Sequence, residues 1–338
     1  MKILAIGDLH LKPKLGYADY ISDKREGEKQ KILDVIVRIG KDCDTVVFLG
    51  DQLNSKNNSS DVIREFTELI ERFKDKEVYI LAGNHCKYPD GRTALDYLKE
   101  IDKPNWNVVT TDILHVNDIT FCPYFYVSEL DEEENEKAIA KLMKKLKGGN
   151  ILFHHHAVAG TFTEGGTSTS IFDEIVLPRQ ELEKKYKKVI GGHIHRPQDI
   201  ENTIVAGSIF CNEVGEHQKY VYTVDTEKLE VTPFPLPGRG IYKLTDPTEA
   251  DIKKIKKGNI VKVELTKKTS AKKLSELKET LVGKFDAYVL LENYPTERQK
   301  VHFEEGMLDF SIDKLLEEYA KTQKLAKDKL LKAWSLIK

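Results

Sequence analysis

Metal-binding residue types follow a short apolar segment at residues 189–196 of the sequence. Val189 and Ile190 precede Gly-Gly-His-Ile-His-Arg, so two histidines, His193 and His195, lie one residue apart after a glycine pair. A strand that runs into this glycine turn would place both imidazoles beyond the end of a sheet. Neutral imidazole is the most common protein metal ligand, because its nitrogen binds borderline cations near neutral pH.

Four other apolar segments end in the same way. Each is followed by aspartate, asparagine or histidine: Asp8 and His10 after residues 2–6, Asp51 after residues 45–49, Asn84 and His85 after residues 77–81, and His154, His155 and His156 after residues 151–153. Any one of these groups alone also occurs in an ordinary turn after a strand. Their joint occurrence, each after an apolar segment, favours a metal site.

The residue types of this set indicate a particular chemistry. Two carboxylates, one amide and several imidazoles can fill two adjacent metal positions, with Asp51 bridging them because a carboxylate has lone pairs for two ions. Mixed nitrogen and oxygen ligands without thiolate suit Mn, Fe or Zn. Two ions about 3.5–4 Å apart clamp the attacking and leaving oxygens of an in-line phosphoryl displacement, and they lower the pKa of a bridging water. The sequence therefore predicts hydrolysis of a phosphate ester.

The elements that must position these residues alternate along the first part of the chain. Apolar spacing predicts helices over residues 24–40 and 61–73, between the first three strand-like segments. This alternation is typical of an α/β layer with at least a partly parallel sheet. In such sheets ligands bind beyond the carboxyl ends of the strands, which is where Asp8, Asp51 and Asn84 would lie.

Composition narrows the class of protein. The 338 residues contain no uncharged apolar segment long enough to span a bilayer, and the N-terminus enters a strand at once rather than a secretory signal. The four cysteines are scattered without a Cys-x-x-Cys pair, as expected for reduced thiols in the cytoplasm. A net charge of −2 argues against a protein that coats nucleic acid by bulk charge, so any attraction for DNA must be local or come from a partner.

The C-terminal part of the chain differs in composition. Prolines at positions 233, 235 and 237, followed by two glycines, indicate a domain linker. Residues 251–278 then hold ten lysines and three acidic residues, a local balance of 10 − 3 = +7, although lysine-rich segments are commonly solvated faces. An amphipathic helix is predicted from Ser311, and such a helix commonly packs on its own domain. The predicted domains are residues 1–237, 238–308 and 309–338.

The polar groups in this order resemble a known family. Asp8-x-His10, Gly50-Asp51-x-x-Asn54, Gly83-Asn84-His85, the histidines from 154 and Gly192-His193-x-His195 resemble the motifs of the calcineurin-like metallophosphoesterases. The resemblance covers residues 1 to about 225. It implies an α/β fold, a four-layer α/β/β/α sandwich with a dinuclear metal centre, to which this chain adds a small C-terminal α+β domain and a terminal helix.

The resemblance also implies roles for individual residues. One metal ion would take Asp8, His10, Asp51 and His195, and the other would take Asp51, Asn84, His155 and His193. The family spacing, with Gly160 following, favours His155, and His154 is the alternative. His85 would lie close to the leaving group as an acid or a phosphate ligand. The expected cofactor is a pair of divalent ions, Mn²⁺ first, with Mg²⁺, Fe²⁺ or Zn²⁺ as alternatives.

Within that superfamily the sequence is most similar to DNA-repair nucleases of the SbcD type and recombination nuclease subunits of tailed phages. The similarity rests on residues 192–198, on Ala206-Gly207-Ser208 and on the added C-terminal part. It implies a Mn-dependent exo- or endonuclease that acts at DNA ends in repair, recombination or replication, in the cytoplasm of a cell or phage host. The implied partners are DNA, contacted by Asn54 and Arg196, and an SbcC-type ATPase docked by residues 309–338. A homodimer within that complex is expected, and no membrane.

Two positions depart from the family pattern. Cys86 stands where the family has an acidic residue that orients the preceding histidine, and Asn54 stands where many members have Asp or His. Two other functions therefore stay open. The first is a phosphatase or small-molecule phosphodiesterase on the same centre, which would not need the lysine-rich segment. The second is a non-catalytic, metal-bound assembly subunit, for which Cys86 is the best support.

Overall fold

The computed structural model describes residues 1–292, apart from residues 22–24, 89, 126–131, 164, 170–173 and 286. The described residues belong to one compact unit, residues 1–293. The predicted terminal segment 309–338 and the end of the predicted domain 238–308 lie outside the described residues. The bounds of the three predicted domains therefore remain predictions.

The first of two large sheets contains the N-terminal strands. Its order is β14-β13-β1-β2-β3-β4. The four strands β1 to β4 are parallel to one another, β13 pairs antiparallel with β1, and β14 pairs antiparallel with β13. The strands are β1 (Lys2–Ile6), β2 (Thr45–Phe48), β3 (Glu77–Leu81), β4 (Trp106–Val109), β13 (Tyr220–Asp225) and β14 (Glu230–Pro235).

The second large sheet has the order β11-β12-β10-β7-β6-β5, with a parallel centre and antiparallel edges. Its strands are β5 (Leu114–Val116), β6 (Ile119–Cys122), β7 (Gly149–His154), β10 (Tyr186–Gly191), β11 (Gln198–Ile200) and β12 (Thr203–Val205). A short parallel pair, β8 (Ala157–Val158) and β9 (Val176–Leu177), lies in the connection between β7 and β10.

The two sheets pack face to face because their strands are apolar on both sides. In β1, Ile3 and Ala5 join a core cluster with Phe121 and Phe153 of the second sheet, whereas Leu4 joins the core under the helices. This alternation is the period of two expected for a strand buried on both faces. The strands of the first sheet therefore have a helical layer on one side and the second sheet on the other.

Helices cover the outer faces of both sheets. α1 (Glu26–Gly40), α2 (Ser60–Glu71) and α3 (Asp96–Ile101) contribute to the core over the first sheet. α4 (Glu132–Lys145) and α5 (Arg179–Lys185) contribute Leu142 and Leu182 to the core over the second. The predicted α/β/β/α sandwich is therefore confirmed. Within the described part of the chain, the helices are too short or too polar to cross a lipid bilayer.

A smaller sheet follows the sandwich. Its three strands, β15 (Ile241–Thr245), β16 (Ile260–Leu265) and β17 (Ala287–Glu292), are parallel and are connected by α6 (Glu249–Lys254) and α7 (Ala271–Lys284). The side chain of Thr248 caps α6, and that of Ser270 caps α7. We call residues 241–292 the small C-terminal unit.

The proline-rich segment is only partly the linker that the sequence indicated. Pro233 and Pro235 lie in β14 and pair with Tyr222 and Tyr220. β14 is an edge strand, and proline is tolerated there because its missing N–H does not interrupt a central ladder. The connection to the small C-terminal unit is therefore shorter than the sequence predicts, residues 236–240.

Candidate metal centre

The predicted ligands converge because their strands are neighbours and run in the same direction. Asp8 and Asp51 follow β1 and β2, which pair in parallel in the first sheet, and Asn84 begins a 3-10 turn after β3. His155 follows β7 and His193 follows β10, which pair in parallel in the second sheet. The carboxyl ends of both sheets thus bring these side chains to one edge of the sandwich.

Two glycines of the motifs are required by the space around these side chains. A Cβ atom on Gly50 would overlap the ring of His155, and a Cβ atom on Gly83 would overlap the carboxylate of Asp51. Gly50 also has a φ of 119°, a conformation that other residues rarely adopt. Glycine at these positions lets the backbone approach the polar cluster closely.

Three of the predicted ligands have a left-handed backbone. The φ angles are 44° at His10, 48° at Asp51 and 79° at His193. Such conformations cost about 1–3 kcal/mol each in a residue other than glycine and persist where the surroundings hold them. Here the backbone N–H of His193 donates to both carboxylate oxygens of Asp8, at 2.9 and 3.1 Å. The N–H of His10 donates to the carbonyl of Asp51 at 2.8 Å.

One cluster consists of Asp8, His10 and His195, whose candidate ligand atoms all lie within 4.8 Å of one another. The Nε2 atoms of the two histidines are 2.9 Å apart, and each lies 3.9 Å from Oδ2 of Asp8. Asp51 Oδ2 is 3.8 Å from His10 Nε2. Asp51 therefore borders this cluster, which contains the ligands predicted for the first ion.

A second cluster lies on the other side of Asp51. Nε2 of His155 is 3.2 Å from Asp51 Oδ2 and 3.1 Å from Asn84 Oδ1, and His193 Nδ1 is 3.0 Å from the same amide oxygen. Ligand atoms in neighbouring positions on one ion, each about 2.1 Å from it, stand roughly 3 Å apart. The residues thus fit a divalent ion, and the ligands predicted for the second ion are together.

The structure places His154 and His155 differently. His155 Nδ1 donates to the carbonyl of Leu49 at 2.8 Å, which leaves the lone pair of Nε2 for the cluster. His154 is also buried, but its Nδ1 accepts from the backbone N–H of His156 at 3.2 Å. Within the described residues, His154 belongs to none of the Asp/His clusters that could hold an ion. The structure therefore brings His155, and not His154, to Asp51.

His85 is oriented by a different group from the one its motif suggests. Its Nδ1 lies 2.9 Å from the backbone carbonyl of Asn54, and because a carbonyl only accepts, Nδ1 carries the proton. Its ring is 4.7 Å from that of His10. Cys86 is fully buried in the core, 4.0 Å from Gln52, and burial raises the pKa of its thiol to about 12. The residue at position 86 therefore does not orient His85.

A family model described as calcineurin-like phosphoesterase matches residues 1–197, more than half of the chain. The chain belongs to the calcineurin-like phosphoesterase family. It is a metal-dependent phosphoester hydrolase of a family that binds two divalent ions, and the Asp/His clusters on either side of Asp51 are candidate sites for them.

Two solved structures similar to this phosphoesterase are distant in sequence. A novel archaeal phosphodiesterase is 16% identical, with 70% of this chain and 100% of that chain covered and a TM-score of 0.35. Phosphopantetheinyl hydrolase from Mycobacterium tuberculosis is 14% identical, with 61% and 88% covered and a TM-score of 0.31. No curated protein sequence matches the chain.

The charges of the phosphoesterase centre explain why it needs cations. Burial raises the pKa of Asp8, whereas His155 and His10 outweigh burial at Asp51 and hold its pKa below the ordinary value. Burial acts to lower the pKa of His155, but the carboxylates of Asp51 and Asp8 raise it to about 9. Burial lowers the pKa of His10 to about 3. The buried carboxylates thus favour positive charge beside them, which bound divalent ions would supply.

The two residues expected to contact DNA differ in position. Asn54 is half-buried, and its backbone carbonyl is the partner of His85. Arg196 directly follows His195 and is exposed. Within the described residues, its guanidinium forms no hydrogen bond or ion pair, so it is available to an anionic substrate beside the centre.

Two glutamates near the centre were not predicted. Glu174 Oε1 is 2.7 Å from His193 Nε2, and Glu216 Oε1 is 3.6 Å from His195 Nδ1. The first distance is a hydrogen bond and the second is an ion-pair distance. Both contacts depend on how loops fold back on the centre, and no spacing in the sequence indicates them. Each histidine of Gly-His-Ile-His therefore has a carboxylate on the nitrogen that faces away from the cluster.

Proposed function

We propose that this phosphoesterase is a Mn-dependent nuclease that hydrolyses phosphodiester bonds at DNA ends. The observation that supports it most is the charge of the small C-terminal unit. Residues 251–278 hold ten lysines and three acidic residues, and nine of the ten lysines are exposed. Duplex DNA has a dense line of phosphate charges that such a surface attracts. A small phosphate ester would not need it.

Several of these lysines are exposed and form no ion pair with another described residue, and two of them are adjacent in the sequence. Lys267 and Lys268 are exposed, and within the described residues their ammonium groups have no carboxylate within 4 Å. Lys253 and Lys254, by contrast, form exposed ion pairs within α6. Unpaired ammonium groups can bind phosphates without first breaking an ion pair. Lys267 and Lys268 are therefore suitable positions for a test of DNA binding.

The centre itself is open to a large substrate. The side chain of His195 is 30% exposed, and both His85 and Arg196 are exposed. Ions held by Asp51 and the ligands on either side of it would activate water and neutralise charge on the phosphate. Because the Asn54 carbonyl accepts from Nδ1 of His85, Nε2 of that ring is left for the substrate. In the imidazolium form, with a proton on both nitrogens, Nε2 can give its proton to the leaving oxygen or donate to a phosphate oxygen. The Arg196 guanidinium would hold a neighbouring phosphate.

The test compares two substrates with one set of variants. Lys267→Glu/Lys268→Glu should lower kcat/KM on duplex DNA by at least 10-fold at low salt, as expected when counterion-releasing phosphate contacts are lost. The same variant should leave Mn-dependent hydrolysis of bis-p-nitrophenyl phosphate unchanged. Lys31→Glu/Lys74→Glu makes the same charge change on the exposed side of the sandwich and serves as the control.

The outcomes separate the proposed function from its alternatives. A wild-type enzyme that hydrolyses the small diester and fails to cleave DNA is a small-molecule phosphodiesterase. A protein that binds Mn²⁺ and hydrolyses neither substrate is a non-catalytic subunit. The second alternative rested on Cys86, and it loses that support because Asn54 and not residue 86 contacts the His85 ring.

We further propose, from the resemblance alone, that residues 309–338 dock on an SbcC-type ATPase and that the complex contains two copies of this chain. A chain that ends at Phe310 should keep the nuclease activity and lose co-purification with the ATPase. Unchanged co-purification would contradict the docking role of this segment.

A further inference from the structure

His193 faces the metal centre with one nitrogen and a carboxylate with the other. Nδ1 is 3.0 Å from Asn84 Oδ1, whereas Nε2 is 2.7 Å from Glu174 Oε1. An ionised carboxylate only accepts hydrogen bonds, so Nε2 carries the proton of the neutral ring. The lone pair is then on Nδ1, the nitrogen that faces the cluster of Asp51, Asn84 and His155.

Glu174 is held in place by groups outside the centre. The hydroxyl of Tyr124 donates to Glu174 Oε2 at 3.3 Å, and the side-chain amide of Asn135 in α4 donates to the Glu174 carbonyl at 3.2 Å. The Tyr124 ring also stacks on His193, with centroids 5.9 Å apart and planes at 29°. The side chains of His193 and Glu174 are only 10% and 18% exposed. The hydrogen bond between them is therefore largely shielded from water.

We propose that Glu174 is a positioning residue for one of the two metal ions. Its carboxylate selects the His193 tautomer with a free Nδ1, fixes the ring and strengthens binding of the ion beside Asn84 and His155. Carboxylates on the outer nitrogen of a metal-binding histidine act in this way in other proteins. The inference concerns the centre and not the substrate, so it does not depend on whether that substrate is DNA.

The arrangement predicts that Glu174 affects the affinity for only one of the two ions. Within the described residues, its side chain contacts His193 and Tyr124, whereas the other cluster is formed by Asp8, His10 and His195. His195 has its own carboxylate, Glu216. Removal of the Glu174 carboxylate should therefore weaken binding of the second ion and leave the affinity for the first ion unchanged.

The experiment is a calorimetric titration of the full chain with MnCl₂. Wild type should bind two ions, and Glu174→Ala should bind one ion unchanged and the other 10- to 100-fold more weakly. Glu174→Gln keeps an acceptor oxygen without the charge, so its loss should be smaller. Glu181→Gln removes the same charge from an exposed position in α5 and should match wild type.

Electron paramagnetic resonance gives a readout that a general loss of stability would not produce. At one to two equivalents of Mn²⁺, wild type should show the spectrum of a coupled pair, and Glu174→Ala that of an isolated ion. Two ions of wild-type affinity in Glu174→Ala, or equal weakening of both, would overturn the proposal. If Glu174→Ala fails to fold, Glu174→Gln decides by the same criteria. A failure to cleave DNA with these metal results intact would contradict only the proposed nuclease function.

Discussion

The two histidines of Gly-His-Ile-His are supported in different ways. Glu216, behind His195, is nearly fully buried and belongs to a loop network. Glu174, behind His193, lies in the connection between β8 and β9, and its carboxylate forms fewer hydrogen bonds with the residues that the structure describes. The Glu174 contact is the shorter one, at 2.7 against 3.6 Å. His195 is therefore supported by a buried hydrogen-bond network, whereas the outer nitrogen of His193 is supported by a carboxylate from the β8–β9 connection.

The Glu216 network contains backbone and side-chain donors. Its carboxylate accepts from the backbone N–H groups of Asn212 and Glu213 at 2.5 and 2.8 Å, from Ser208 Oγ at 3.0 Å and from Lys219 Nζ at 3.1 Å. Burial acts to raise the pKa of Glu216, but His195, Lys219 and the backbone donors lower it to about 2. Glu216 is therefore a structural anchor as well as the partner of His195.

The largest effect should come from the residue that both halves share. Asp51 Oδ2 lies 3.2 Å from His155 and 3.8 Å from His10, so Asp51→Ala removes a ligand from each ion. Hydrolysis of bis-p-nitrophenyl phosphate should fall at least about 10³-fold, because each ion supplies several kcal/mol of transition-state stabilisation. Calorimetry should show both Mn²⁺ sites weakened. One ion bound with wild-type affinity would show that Asp51 is not shared.

The second-largest effect should be on the free energy of unfolding, and it should distinguish Glu216 from Glu174. Glu216→Ala removes the acceptor of two backbone N–H groups and the carboxylate beside the buried ammonium of Lys219, which keeps its hydrogen bond to the His195 carbonyl. The free energy of unfolding should therefore fall by about 3–5 kcal/mol. Glu174→Ala should cost less, since its side chain has fewer buried donors. Urea unfolding without metal measures both variants. Equal losses would mean that the two supports do not differ.

Glu28 provides a buried glutamate that is remote from the metal ligands. It binds Arg25 at 2.7 Å and Arg239 at 2.6 Å. Burial acts to raise the pKa of Glu28, but the hydrogen bonds and charges of both arginines outweigh burial and hold the pKa below its ordinary value. Because the folded pKa is lowered, the ion pairs stabilise the fold above the ordinary carboxyl range, and this contribution is lost as pH falls below it.

Glu28→Gln should therefore lower the free energy of unfolding at pH 7 by about 3 kcal/mol, and the difference from wild type should shrink as pH falls below about 4.5. Urea titrations between pH 7 and pH 3 measure this. The variant should bind both Mn²⁺ ions normally, in contrast to variants of Glu174. A difference that stays constant with pH would show that ionisation of Glu28 does not stabilise the fold.

The sequence predicted the parts of the centre that depend on local order. An apolar strand that ends in Gly-Asp or Gly-His places its polar residue at the edge of a parallel sheet, so Asp51 and His193 could be identified from the strand pattern. The choice of His155 over His154 needed the resemblance, because neighbouring residues at a strand end point in opposite directions.

Other features could not be predicted because they depend on tertiary contacts. Glu174 lies 19 residues before His193 and meets it only through the path of a loop. The orientation of His85 depends on a backbone carbonyl, that of Asn54, and any residue type provides such a group. The same reason applies to the prolines of β14, because only the sheet order shows that they lie in an edge strand.

The smallest effect should come from a change at Tyr124. It tests whether the hydroxyl that holds Glu174 also contributes to the position of the His193 ring. Tyr124→Phe removes the hydroxyl that donates to Glu174 Oε2 but keeps the ring that stacks on His193. A hydrogen bond to a charged group contributes about 1.5–3 kcal/mol at most, and Glu174 keeps its contact with His193. Affinity for one Mn²⁺ should therefore fall less than in Glu174→Ala, by roughly 2- to 5-fold. A decrease as large as that of Glu174→Ala would mean that Tyr124, and not the carboxylate alone, sets the position of the ring.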